Sequence, residues 1–95
     1  MQDIAVLLKA LGLRIRELRL AQGYSQESFA DKCGVHRTFM GTVERGESNL
    51  SFQNIAKVAA TLGVSLSALF ADLEEVALKQ EAPPRRKGSP ASRRG

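Results

Sequence analysis

His36-Arg37-Thr38-Phe39-Met40-Gly41-Thr42-Val43-Glu44-Arg45, held between Val35 and Gly46, is a segment whose two sides differ sharply in chemistry. At 3.6 residues per turn Met40 and Val43 point one way, while Arg37, Thr38, Gly41, Thr42 and Arg45 share the other. The outer side carries two arginines, two hydroxyls and no acid, with Gly41 in its middle. A glycine inside a helix costs about 1 kcal/mol relative to alanine. Either something approaches this side closely or a surface glycine is tolerated, and the residues alone leave both readings open.

On each side of this segment the chain reads as a string of short helices. Upstream, Ser25 caps a helix that runs to Cys33 with Phe29, Ala30 and Cys33 inward, and Gly34-Val35 make a tight connection to the segment above. Before it, Gly23 stops a long first helix of about residues 3–22, whose Leu7, Leu11, Ile15 and Leu18 share a face. Downstream, Ser51 caps a fourth helix with Phe52, Ile55, Ala59 and Leu62 before Gly63. Ser65 caps a fifth with Leu66, Leu69, Phe70, Leu73, Val76 and Ala77. No segment alternates with period two for long enough to form a strand, so the expected fold class is all-α with five helices. Two helices joined by a short glycine-containing turn, the second basic on its exposed face, describe a helix-turn-helix.

Composition narrows the class. Ninety-five residues with no tryptophan make one small domain whose limited core favours oligomerisation. A single cysteine excludes an internal disulfide, no Cys/His cluster offers a metal site, and no cofactor motif is present. Cys33 lies on an apolar face and reads as a small core residue. The only histidine has no nucleophile or acid partner at motif spacing, so an enzyme is not expected. No apolar run approaches a signal peptide or a membrane span, and a cytoplasmic location is expected. The net charge of +4 resides in the tail: residues 81–95 hold five Lys/Arg against Glu81, while the first 80 residues hold nine of each sign. That tail, with all three prolines, reads as a disordered basic extension of a domain spanning residues 3–80.

The runs Tyr24-Ser25-Gln26-Glu27-Ser28-Phe29-Ala30, Cys33-Gly34-Val35-His36, Val43-Glu44-Arg45-Gly46 and Leu62-Gly63-Val64-Ser65 together resemble the lambda-repressor/Cro-like (XRE) DNA-binding domain, in order across residues 11–70. His36-Arg37-Thr38-Phe39-Met40-Gly41 with Glu44-Arg45-Gly46 is similar, more finely, to the small controller proteins of restriction-modification systems. The resemblance implies double-stranded DNA as partner, with Arg37, Thr38, Gly41 and Thr42 reading bases from the third helix. Arg37 would bond guanine O6 and N7, and the threonines a thymine methyl or a base edge. It implies phosphate contacts from Gln26, Arg45, Ser48 and Asn49, with His36 as a cap or phosphate contact. Arg19 and Glu44 align with an ion pair that orients the reading helix.

The apolar stripe of the fifth helix is longer than four short helices can cover, so Phe70, Leu73 and Val76 are expected at a homodimer interface. The resulting expectation is a sequence-specific transcription regulator of XRE type acting as a homodimer on inverted repeats. Its rivals are an antitoxin that autoregulates its operon, and a protein-interaction module on the same fold. Beyond DNA and a second copy, a toxin or RNA polymerase is the further partner left open; the operator, the sign of regulation and the genes controlled are not written in the chain.

Overall fold

Residues 3–81 are described by the computed structural model, and they form six helical segments: α1 Ile4–Ala21, α2 Gln26–Cys33, α3 Arg37–Glu44, α4 Phe52–Leu62, α5 Leu66–Phe70 and α6 Leu73–Glu81. The basic tail beyond residue 81 lies outside the described residues. The starts are set by side-chain caps. Asp3 Oδ1 accepts from the Ala5 amide at 2.9 Å, and the Ser51 and Ser65 hydroxyls accept from the amides of Asn54 and Ala68. Ser25 and Ser28 form a reciprocal box, each serine hydroxyl accepting from the other's amide at 3.0 Å. Gly34 closes α2 in the left-handed conformation (φ 75°), which turns the chain into α3 within three residues.

The long α1 packs against α3, α4, α5 and α6, and α2 packs against α3 and α4. Leu11 and Ile15 from α1, Phe29, Ala30 and Cys33 from α2, Met40 and Val43 from α3, Val58, Ala59 and Leu62 from α4, and Leu69 from α5 make one contiguous core. An eight-residue helix with a glycine inside is not stable alone. Burial of Met40 and Val43 therefore helps to hold α3 against the core. Burial pushes the Cys33 thiol above its ordinary range, against a smaller lowering by Thr61, which keeps it a protonated core group.

Two expectations are corrected. Phe52, assigned to the inner face of α4, is 68% exposed, because it stands at the first helical position, beyond the edge of the core. The apolar stripe read as one fifth helix is divided: Ala71 is extended and Asp72 takes a left-handed φ of 58°. Arg14 of α1 stabilises this break by donating to the carbonyl of Ala68 (3.1 Å), which also accepts from the Ala71 amide, and to that of Ala71 (2.6 Å). Beyond the break α6 packs against α1 with Ala77 fully buried. Among the described residues no single helix is long and apolar enough to cross a membrane.

Sequence reading passed over Gly12. A Cβ built there would lie 2.4 Å from the Val43 carbonyl oxygen and 2.6 Å from that of Glu44, so α1 and the end of α3 cross backbone to backbone. Gly46, at φ 73°, belongs to the same crossing, with Lys9 Cα 2.6 Å from where its Cβ would be. These two glycines set the distance between the first helix and the third.

Candidate nucleic-acid interface

The placement of α3 rests on a buried ion pair. Arg19 Nε donates to Glu44 Oε2 at 2.7 Å and Nη2 to Oε1 at 3.0 Å, with the side chains 7% and 4% exposed. This fork fixes two contacts in one plane. The remaining Arg19 nitrogen donates to the Tyr24 carbonyl at 2.9 Å, tying in the turn before α2. Gln26 completes the network, its amide donating to Glu44 Oε1 at 3.2 Å. One glutamate at the end of α3 is thus bonded from α1 and from the first residue of α2.

With Met40 and Val43 buried, the opposite side of α3 is open. Arg37 is exposed, and its guanidinium stands 3.7 Å from Glu27 of α2, a wide pair between two solvated side chains. Thr38 is also exposed. His36 is the N-cap of α3, its Nδ1 accepting from the Thr38 amide at 3.1 Å. That bond requires the proton to sit on Nε2, which leaves an exposed N–H donor at the start of the helix. Arg45 is exposed and pairs with Glu47 at 3.1 Å. The outer side of α3 carries no acid of its own, but α2 and the following loop each supply one.

Three of the expected contact residues stand differently from the sequence reading. Gly41 is buried rather than part of an open reading face: Gln26 Oε1 and Arg45 Nη1 lie 3.4 and 3.2 Å from its would-be Cβ. The close approach that a glycine allows here is made by the protein's own side chains. Thr42 is half-buried and its hydroxyl donates to the Phe39 carbonyl at 2.7 Å. With that proton used, the Ser48 hydroxyl must donate to Thr42, so both hydroxyls bond inside the protein and pin the loop after α3. Asn49 is exposed beside them.

The two helices that meet at Gly34, with the second held by a bidentate bridge to α1 and open on its polar side, form a helix-turn-helix. Residues 15–69 match the helix-turn-helix family. The chain belongs to that family, in its XRE-type branch. It is 38% identical over 76 residues to the control protein C.MunI of a Mycoplasma species, a match covering 79% of this chain and 99% of that one. The crystal structure of the restriction-modification controller protein C.AhdI from Aeromonas hydrophila superposes with a TM-score of 0.69 at 43% identity, covering 73% of this chain and 100% of the other. A point mutant of C.Esp1396I, bound to its highest affinity operator site, superposes with a TM-score of 0.67 at 32% identity over 76% of this chain and 95% of that one. The helix-turn-helix match begins at Ile15 and ends at Leu69, so Gly12, Arg14 and the α5–α6 break lie outside it.

The residues expected at a dimer contact are placed beside the core. Phe70 and Leu73 are half-buried against the core of the same chain, and Val76 is half-buried outside it. Among the described residues no group of three or more His, Cys, Asp or Glu side chains is arranged to hold a metal ion.

Proposed function

We propose that the chain is a cytoplasmic, sequence-specific DNA-binding transcriptional regulator that acts as a homodimer, each copy placing α3 in the major groove of one half of an inverted repeat. The observation that carries this reading is the polar side of α3, open at Arg37 and Thr38, on a helix whose pose is fixed by the Arg19–Glu44–Gln26 network. A mere surface helix has no need of a buried ion pair to aim it. Arg37 is the base-reading residue with Thr38 beside it, and its exposed pair with Glu27 costs at most about 1 kcal/mol to break. With its hydroxyl engaged on Phe39, Thr42 contributes a methyl group to the groove. Gln26 directs one amide proton to Glu44 and keeps the other for a phosphate; His36, Arg45 and the Ser48-Asn49 loop border the backbone. The five basic residues of the tail suit the same polyanion.

Two substitutions separate reading from anchoring. Arg37→Ala is expected to lose about 1 to 3 kcal/mol of discrimination at one base pair per half-site. Gln26→Ala is expected to weaken binding to every duplex by about tenfold, the scale of one charge-assisted hydrogen bond. Competition binding against single-base operator variants checks both, and an unchanged preference profile in the Arg37 variant removes that residue from the readout.

A second copy would meet the margin formed by Phe70, Leu73 and Val76. A twofold dimer sets reading helices about 34 to 36 Å apart, which calls for half-sites one turn apart or a multiple of it. Because Phe70 and Leu73 also pack on the core, Val76 gives the cleaner test. Val76→Glu places a charge in the contact and should yield a folded monomer with weak operator affinity. Sedimentation and helical content on one sample decide it: a variant that remains dimeric contradicts the assignment.

A further inference from the structure

We propose that Arg16 is a further phosphate-binding residue, acting with Gln26 and Arg45 across a cleft between α1 and α3 to hold one backbone phosphate of each DNA half-site. The proposal rests on the DNA-binding reading above. The cleft encloses about 410 Å³ and is lined by Arg16, Arg19, Gln26, Gly41, Glu44 and Arg45, three guanidinium groups against one carboxylate. That carboxylate is fully engaged, accepting two bonds from Arg19 and one from Gln26. Arg19 and Glu44 therefore cancel one another, and Arg16 and Arg45 leave the cleft positive.

Of these two, Arg45 has an exposed partner in Glu47, a pair that an incoming phosphate can displace for about 0–1 kcal/mol. Arg16 is exposed and makes no ion pair among the described residues. It stands three residues before Arg19, on the same side of α1, so the bridge that aims α3 also fixes the position of Arg16 relative to Gln26 and Arg45. Gly41 forms the floor, where a side chain would intrude on Arg45 Nη1 at 3.2 Å and Gln26 Oε1 at 3.4 Å. A phosphate offers acceptor oxygens in several directions, which matches guanidinium donors from two walls and an amide N–H from a third. Such a contact from α1 adds an anchor outside the helix-turn-helix itself and fixes how the domain tilts on the duplex.

The test compares Arg16→Gln with the parent protein on a selected operator and on an unrelated duplex over a range of salt. The expected result is an equal loss on both duplexes, about tenfold at low salt. The slope of log affinity against log salt should flatten by about 0.9, with the unfolding midpoint unchanged. Arg16→Lys should restore the slope. Neutral methylphosphonate substitution at the phosphate held in the cleft should cost the parent more affinity than it costs the Arg16→Gln variant, in which Gln26 and Arg45 alone still hold it. A variant with an unaltered slope and an unaltered methylphosphonate profile overturns the assignment, as does a loss confined to the operator, which would make Arg16 a base reader. A parent protein with no salt-dependent duplex binding overturns the DNA-binding reading together with this one.

Discussion

Gly12→Ala is expected to lower the unfolding midpoint by about 10 to 25 °C, although alanine is the better helix former by about 1 kcal/mol. The added methyl would lie 2.4 and 2.6 Å from the carbonyl oxygens of Val43 and Glu44, which are backbone and cannot rotate aside. Relief requires α1 to move off the end of α3. Leu11 and Ile15 leave the core together with that movement, and the Arg19–Glu44 fork is stretched. Overpacking of this kind costs about 3 kcal/mol or more, a large part of what a domain of this size has. Thermal unfolding followed by far-UV circular dichroism checks it. The two effects have opposite signs, so a midpoint that rises shows that α1 and α3 do not cross closely.

Glu44→Ala is expected to cost about 3 to 5 kcal/mol, because it leaves the Arg19 guanidinium buried with only the Tyr24 carbonyl as partner. It also frees the Gln26 amide, which the network otherwise holds at the edge of α3. Stability and function separate in the double variant Arg19→Met/Glu44→Leu. An apolar pair of similar volume replaces a buried salt bridge at little net cost, since desolvation offsets most of the attraction between the charges. The double variant should therefore regain most of the lost stability in urea denaturation while duplex binding stays weak, because Gln26 loses its carboxylate partner and the end of α3 loses its bidentate bridge to α1. Recovery of both properties would show that the pair does not aim the helix.

What the sequence disclosed was mostly local. Ser25, Ser51 and Ser65 cap helices through bonds spanning three residues, and Gly34 ends one within a turn, so these boundaries could be read directly. The buried and open sides of α3 follow from Met40 and Val43 alone. The break at Ala71-Asp72 could not be seen, because it contains neither glycine nor proline and is stabilised by Arg14, 57 residues away from Ala71. Gly12 carried a visible signal, an unforced glycine within a long helix, but what it meets is the backbone of another element. Gly41 was half legible. A close approach was one of two readings the residues left open, and the occupants, Gln26 and Arg45, come from outside α3 or beyond its end. The hydroxyl partnership of Thr42 and Ser48 is likewise a property of the loop's path.

In the proposed function α3 of a paired chain reads a DNA sequence. Its most direct test is selection from random duplexes followed by competition binding of the selected duplex against an unrelated one, measured across salt. The expected result is convergence on an inverted repeat with half-sites about one helical turn or a multiple apart. A preference of about 10³ or more for that duplex is expected, with both affinities falling as salt rises. Equal affinity for the two duplexes, or no binding to either at low salt, would contradict it.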